Sequence, residues 1–274
     1  MENKKIYSTS YRQYRDFCIP RQGEHSFQLL LAESDIKVIV ASGEQEGLSL
    51  QDSQNLACEM LKTLEVLRAD IASWARVYPE FRHSLSPLKI PKNAPKIVRR
   101  MYEGASKAGV GPFAAVAGSI AQILAETYSN LYPDLIIENG GDIYMFSSKE
   151  RVVALLSEPE KLPQTTSNIN QKTGSQQSTL GLRFGVDDFP LALCASSATI
   201  GHSLSLGNGE LAVVRAKSAS LADAVATALG NRLRSADTVQ DAINFAQNIV
   251  GVEGVFVQCD DAMGVWGAME LVAL

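Results

Sequence analysis

The sequence predicts an α+β protein in which a largely antiparallel sheet packs against helices. Short β-rich runs follow one another closely enough to form hairpins, and blocks of helical periodicity stand between groups of strands. Of the 274 residues, 46% are hydrophobic and 20% are charged, a composition typical of a globular protein with a sizeable core. Because no linker or repeat divides the chain, we expect a single domain over residues 1–274.

The first half of the chain is predicted to form a hairpin followed by helices. Two β-rich runs at 26–43 surround a short polar turn. Residues 48–77 carry apolar side chains at helical spacing, with Ser49 or Asp52 able to cap the helix. Four prolines then predict an irregular connection: Pro79, Pro87, Pro91 and Pro95. A second helix is expected over 96–109.

The second half alternates strands with shorter helices. A small-residue helix is predicted from Gly111 to about Asn130, and LYPDLIIENGGDIYMF predicts a strand, a glycine turn and a second strand. Helices are expected over 220–230 and 236–249. The remaining predicted strands are ERVVALLSEPE, LGLRF, LALCAS, LAVVRA, GVFVQC and GVWGAMEL. The segment at about 163–179 is rich in Ser, Thr, Gln and Asn, which predicts a flexible surface loop.

Charge and hydropathy argue against nucleic acid and membrane as partners. The net charge is −5 and the isoelectric point is near 5.3, with no strong cluster of lysine and arginine. No apolar core follows the basic start, and the longest uncharged run, at 108–125, is too weakly hydrophobic for a membrane span. The cysteines lack metal-type spacing and are expected to be reduced. We therefore expect a cytoplasmic protein.

Two glycine-containing stretches are candidate ligand sites. At Gly111 the chain turns into a helix start, where backbone N–H groups and the helix dipole can hold phosphate; close packing of a small-residue helix explains the same glycine. In ENGGDIY, Gly140 and Gly141 lie between Asn139 and Asp142 and allow positive φ or close approach of a ligand. A plain hairpin turn explains these glycines equally well.

The stretch CASSATIGHSLSLGNGE holds the densest group of hydroxyl side chains. Ser196, Ser197 and Thr199 can donate to phosphate or to ring heteroatoms, and His202 can move a proton near neutral pH. A serine hydrolase is disfavoured because the chain lacks a GxSxG elbow. Cys194 fits a nucleophile or a buried strand cysteine.

The helix SLADAVATALG places two oxygen-bearing side chains on one face. Asp223 and Thr227 are four residues apart, so they lie one helical turn apart beside the apolar stripe. They could point into a cleft. The alternative is a capping or surface aspartate with a threonine bonded to the preceding turn.

Four features, in their order along the chain, resemble the ApbE-like superfamily of FAD:protein FMN transferases. They are the small-residue helix, the GGD turn, the Ser-rich turn with its histidine, and SLADAVATAL. The chain most resembles a poorly characterised branch found in anaerobic prokaryotes. The resemblance implies an ApbE-like, T-fold-type fold in which Asp223 and Thr227 hold Mg²⁺ on the FAD pyrophosphate. It further implies that the GGD turn and Ser-rich turn lie beside the flavin nucleotide and that His202 assists proton transfer.

The departures from the family concern charged groups. Ala117 stands at the position of the family's active-site lysine, Gln122 replaces an aspartate that often follows, and SLSLGNG replaces IIDPxTG after His202. Lost charges weaken leaving-group stabilisation at a metal-assisted phosphoryl site.

The resemblance therefore leaves three functions open. The first is a Mg²⁺-dependent FAD- or FMN-binding protein that serves as an accessory, with a redox partner, in anaerobic redox or sulfur (homocysteine) metabolism. The second is an FAD:protein FMN transferase that modifies Ser or Thr on an acceptor protein, and the third is a non-catalytic scaffold. A homodimer is compatible with each.

Overall fold

The computed structural model describes residues 20–41, 48–155, 180–197 and 211–274. Within this part of the chain, eight strands form one sheet in the order β1-β2-β3-β4-β7-β8-β9-β10, and three form a second in the order β11-β6-β5. The strands are β1 (Glu24–Leu31), β2 (Ser34–Ala41), β3 (Asp134–Asn139), β4 (Asp142–Phe146), β5 (Arg151–Ala154), β6 (Leu180–Phe184), β7 (Leu191–Ser196), β8 (Leu211–Ala216), β9 (Val252–Cys259), β10 (Ala262–Gly267) and β11 (Glu270–Ala273). All these pairings are antiparallel, which confirms the predicted α+β class.

The helices and the small sheet cover opposite faces of the large sheet. The helices are α1 (Leu50–Val77), α2 (Pro79–His83), α3 (Lys96–Ala108), α4 (Val116–Tyr128), α5 (Ala219–Gly230) and α6 (Val239–Gln247). One core lies on the helical face and includes Val38, Ile137 and Val214. A second core lies between the two sheets and includes Phe184 and Phe256. Alternate residues of each central strand therefore enter different cores.

Helix α1 follows the predicted pattern closely. Ser49 is its N-cap, and the Ser49 hydroxyl accepts a hydrogen bond from the Asp52 amide at 3.1 Å. The buried side chains recur every three or four residues: Leu56, Met60, Leu64, Leu67, Ile71 and Trp74. The irregular connection predicted after it is wrong at its start, because Pro79 opens the short helix α2 and Phe81 is fully buried there.

Two other predicted elements are divided in the structure. The helix expected from Gly111 begins as a single 3₁₀ turn, Pro112–Ala115, before α4 starts at Val116. The strand expected in GVWGAMEL is split between β10 in the large sheet and β11 in the small one. Gly267 lies at the break with φ of 78°, and a Cβ there would lie 2.2 Å from the Glu253 carbonyl oxygen. The close approach and the positive φ together require glycine.

Among the described helices, none alone has both the length and the hydropathy to cross a membrane. The bent pair formed by α3 and residues 112–128 has the length and composition, with a bend of 107°. The loop predicted at about 163–179 lies outside the described residues.

Candidate functional site

The β3–β4 hairpin brings the ENGGD stretch to one end of the large sheet. Asn139 pairs with Asp142, leaving Gly140 and Gly141 as a two-residue turn with φ of 74° and 101°. Two positive φ values are typical of a type I′ hairpin turn, which matches the twist of the flanking strands. The hairpin explanation of these glycines is therefore confirmed. The space around Gly141 is also open, because a Cβ added there would lie 3.9 Å from its nearest neighbour, the Ala195 Cβ.

Helices α4 and α5 pack closely enough for backbone to meet backbone. A Cβ on Gly118 would lie 2.5 Å from the Ala219 carbonyl oxygen and 2.9 Å from the Asp223 Cβ. The small residues of α4 therefore serve close packing, one of the two explanations offered by the sequence. The same approach places the first turns of α5 against the beginning of α4.

Asp223 caps helix α4 from a different helix. The Gly118 amide donates to the Asp223 Oδ2 at 2.9 Å. Ala115, the N-cap residue of α4, has no side-chain oxygen, and its side chain makes no capping hydrogen bond. A carboxylate near the first amides of a helix compensates the unpaired N–H groups and the positive end of the helix dipole. Asp223 thus has a structural role that its spacing within α5 does not reveal.

A second buried carboxyl group lies beside the first. Asp142 and Asp223 are both buried. Burial raises the pKa of Asp142 well above its usual value, and the charge of Asp223 raises it further. Burial also raises the pKa of Asp223 to about 7, against the lowering effect of the Gly118 and Ala117 amides. The two groups form a pair that disfavours holding two negative charges at once.

Cys194 connects this pair to the beginning of α5. Its thiol lies 3.6 Å from the Ala219 carbonyl oxygen and is also hydrogen-bonded to Asp142. Burial raises the pKa of the Cys194 thiol well above its usual value, and the two carboxyl groups raise it further. The Ala195 amide donates to the Asp142 Oδ1 at 3.3 Å. A neutral, fully buried thiol is a poor nucleophile, so of the two explanations of Cys194 the structure favours the buried strand cysteine.

Ala117 and Gln122, two positions that depart from the family pattern, both form hydrogen bonds to other parts of the protein. Ala117 places its carbonyl oxygen 3.1 Å from the Asn139 Nδ2, which donates to it. The Gln122 Oε1 accepts from the Ala219 amide at 2.9 Å, so it satisfies the first amide of α5. The Gln122 Nε2 donates to the Glu126 Oε1 at 2.8 Å. Gln122 therefore holds the start of α5, a role in which an amide can both accept and donate.

The other predicted residues differ in how deeply they are buried. Ser196 is buried at the end of β7, and Ser197 follows it half-buried. Thr227 is half-buried one turn after Asp223. Gly111 is buried against another segment, because a Cβ there would lie 1.7 Å from the Ser84 carbonyl oxygen. Its role in nucleotide binding remains a prediction. Two further predicted residues lie outside the described residues: Thr199 and His202.

The donor set suits a cation that takes few protein ligands. No group of three or more His, Cys, Asp and Glu side chains in the described ranges could hold a metal ion by itself. Mg²⁺ is usually bound by one or two carboxylates, with water and substrate phosphate completing its shell. Asp142 and Asp223 fit that pattern, and Thr227 adds a hydroxyl on the same helix face.

A family model and curated relatives both match most of the chain. A family model described as "AbpE bacteria" matches residues 18–262. A UPF0280 protein of Methanocella arvoryzae is 34% identical over 210 residues, covering 76% of this chain and 80% of the relative. A UPF0280 protein of Methanococcus aeolicus is 37% identical over 203 residues, covering 73% of this chain and 77% of the relative.

Solved structures show the same fold at low sequence identity. The flavin transferase ApbE from Vibrio cholerae aligns with a TM-score of 0.50 and 13% identity, covering 89% of this chain and 97% of that one. At this identity the likeness shows the fold. The family match and the methanogen relatives establish the membership: the chain belongs to the AbpE bacteria family, with UPF0280 relatives, and thereby to the ApbE-like superfamily.

Proposed function

We propose that the protein binds a flavin nucleotide, FAD or FMN, together with Mg²⁺ at the ends of β3, β4 and β7. The observation that carries the proposal is the buried pair Asp142 and Asp223. Both carboxyl groups have raised pKa values, and neither forms a salt bridge with a basic side chain in the described residues. Buried acidic groups with perturbed pKa values are enriched at functional sites.

A divalent cation would remove the electrostatic cost of this arrangement. Two ionised carboxylates in a dry environment repel each other and lose hydration, so one of them stays protonated until a cation arrives. We propose that Asp223 and Thr227 hold Mg²⁺, with Asp142 as the second carboxylate near the ion. Mg²⁺ would supply charge neutralisation of the nucleotide pyrophosphate. The protein's own part is to fix the α5 carboxylate against the amide end of α4.

The hairpin offers a surface for the nucleotide. Because Gly140 and Gly141 lack side chains, a ligand can approach the turn backbone closely. Asn139 is fixed by its bond to the Ala117 carbonyl oxygen, and Ser196 and Ser197 lie at the same end of the neighbouring strand β7. We propose that these groups contact the flavin nucleotide, with Gly111, Thr199 and His202 as further candidate residues.

A second candidate function is FMN transfer from FAD to a hydroxyl of an acceptor protein. It is favoured by the fold shared with the flavin transferase ApbE of Vibrio cholerae. The methyl side chain of Ala117 argues against it, because it cannot supply the charge of the family's lysine. Binding without transfer is therefore our first proposal. The role as an accessory in redox or sulfur metabolism stays a prediction from the family resemblance.

Calorimetric titration of metal-stripped protein with FAD, with and without Mg²⁺, tests the proposal. We expect binding that depends on Mg²⁺, and we expect Asp223→Ala to abolish this dependence while the fold is retained. Asp241→Ala, at an exposed position of α6, is the matched control. Equal affinity of Asp223→Ala and the parent would overturn the metal-site assignment, and no binding under either condition would favour the scaffold.

Chromatography of the same mixtures separates binding from transfer. FMN transfer breaks the FAD pyrophosphate and releases AMP, so AMP formed with a protein acceptor present would favour the transferase. Bound FAD that is recovered intact under those conditions would favour a flavin-binding accessory.

A further inference from the structure

We propose that Gln122 is a positioning residue for the candidate cation site and fixes the separation of Asp142 and Asp223. This inference rests on the proposed function, because it concerns the geometry of the same site. Gln122 is buried on α4, and its side chain is hydrogen-bonded to both of the elements that carry these carboxyl groups, α5 and β4.

The Gln122 side chain uses both its oxygen and its nitrogen. Its Oε1 accepts from the Ala219 amide at 2.9 Å, at the first residue of α5. Its Nε2 donates to the Glu126 Oε1 at 2.8 Å, and the side chain is also hydrogen-bonded to Tyr144. A side-chain amide has one acceptor oxygen and two N–H donors, so these three bonds fix both ends of the group.

The bonded residues lie close along the chain to the two carboxyl groups. Asp223 lies four residues after Ala219, one turn further along α5. Asp142 lies two residues before Tyr144 on β4, so these two side chains leave the strand on the same face. Gln122 therefore connects the turn of α5 that precedes one carboxyl group with the strand that carries the other.

The Ala219 amide would lose its acceptor if Gln122 were removed. Ala219 is fully buried, so its N–H group would be left unpaired, which is unfavourable. A new acceptor requires a shift of the first turn of α5. Such a shift would disturb the bond from the Gly118 amide to the Asp223 Oδ2, because Gly118 packs closely against both Ala219 and Asp223. We therefore expect the bond made by Gln122 and the cap made by Asp223 to be coupled.

Glu126 and Arg100 set the direction in which the Gln122 amide points. The Glu126 Oε1 accepts from Gln122, and its Oε2 accepts from the Arg100 Nη2 at 2.8 Å. A reversed amide would place its oxygen against this carboxylate and its NH₂ group against the Ala219 N–H group. The ion pair therefore favours the orientation in which Gln122 accepts from α5.

Hydrogen exchange of the Gly118 amide in metal-free protein, followed by NMR, tests the positioning without any ligand. Gln122→Met keeps a side chain of similar length but removes the amide group. The protection of the Gly118 amide should fall by about tenfold or more, while amides of the central strand β8 keep theirs. Gln240→Met is the matched control, because Gln240 on α6 is exposed and donates to Asn244 one turn later.

Calorimetric titration with FAD and Mg²⁺ tests the consequence for the site. Removing a group that orients a metal ligand commonly lowers metal affinity by ~10–100-fold, so Gln122→Met should weaken Mg²⁺-dependent binding by about tenfold or more. Gln122→Glu keeps an acceptor oxygen for the Ala219 amide and should bind clearly more tightly than Gln122→Met. Arg215→Met removes a buried arginine that is paired with other carboxylates, so it controls for a general loss of stability.

The outcomes separate this proposal from the proposed function. The positioning role is wrong if Gln122→Met keeps the parent's protection at Gly118 or binds FAD with the parent's Mg²⁺ dependence. It is also wrong if Gln122→Glu loses the protection of the Gly118 amide, a result that decides the question even if Gln122→Met fails to fold. A parent that shows no Mg²⁺-dependent binding would refute the proposed function, and the exchange of the Gly118 amide would then still decide whether Gln122 positions Asp223.

Discussion

Replacing Asp223 by asparagine should flatten the dependence of folding stability on pH. The substitution removes one titrating group from the buried carboxyl pair. Asparagine retains an amide oxygen that can accept from Gly118, so the capping bond of α4 can survive. The change therefore tests the electrostatics of Asp223 with little loss of packing.

The magnitude follows from the pKa of Asp223, which burial raises from 3.8 to about 7. Between these values the folded protein holds a proton that the unfolded chain has lost, so the free energy of unfolding falls as pH rises. The raised pKa of Asp223 does not lower the free energy of unfolding below about pH 4, and it lowers that free energy by the full amount above about pH 7. A shift of about three units corresponds to about 4 kcal/mol, of which about 3 kcal/mol falls between pH 5 and 8. Asp142 acts in the same direction because its pKa is also raised.

Urea unfolding of metal-free protein at pH 5, 6, 7 and 8 measures the effect. The parent should lose about 3 kcal/mol or more of unfolding free energy across this range through the buried pair. Asp223→Asn should lose clearly less, because Asp142 then ionises without a charged neighbour. Asp241→Asn, at an exposed position, controls for the loss of a negative charge. Parallel pH profiles for the parent and Asp223→Asn would refute the reasoning.

Three further predictions concern packing and burial. Gly118→Ala should lower the unfolding free energy by about 1–3 kcal/mol, measured by urea denaturation, because its Cβ would lie 2.5 Å from the Ala219 carbonyl oxygen; unchanged stability would contradict the close helix packing. Arg215→Met should cost about 3 kcal/mol in the same assay, since this buried arginine is paired with two carboxylates that would lose their cation; a neutral effect would show that the pairs add little. In native protein at pH 8, iodoacetamide should label the exposed Cys58 before the buried Cys194, as read by peptide mass spectrometry; early labelling of Cys194 would show that its strand opens readily.

Local sequence patterns were sufficient to predict most of the helices and strands. The apolar spacing of α1 predicts a helix whose bounds match those observed, and Ser49 caps it as expected. The glycine pair in ENGGD predicts the β3–β4 hairpin, because positive φ at two adjacent positions specifies this turn. The division between β10 and β11 was not predicted, since the need for glycine at Gly267 arises from contact with another strand.

The candidate site was predicted as a set of residues but not as an arrangement. The pattern of α5 left Asp223 either facing a cleft or acting as a capping or surface aspartate. Its partner Gly118 lies 105 residues away in sequence. The sequence around α4 shows that its N-cap residue, Ala115, has no side chain that could cap the helix. It does not show that Asp223, on a neighbouring helix, accepts from the Gly118 amide instead. The link between Gln122 and the Ala219 amide spans 97 residues and was missed for the same reason. These contacts depend on how α4 and α5 pack against each other, and the periodicity of apolar residues within one helix carries no information about that packing.

The observed capping role of Asp223 and its proposed cation-binding role are compatible because a carboxylate has two oxygens. The Gly118 amide is bonded to Oδ2, and the Ala117 amide is also hydrogen-bonded to this carboxylate. An ionised carboxylate has about four lone-pair sites, so it can accept from both amides and still bind a cation. Asparagine or serine could cap the helix equally well, but neither would offer the charge that Mg²⁺ prefers. Capping alone therefore does not require a charged side chain at this position, and the proposed cation binding would give the charge of Asp223 a use. Loss of Mg²⁺ affinity in Asp223→Asn with α4 stability unchanged would separate the two roles experimentally.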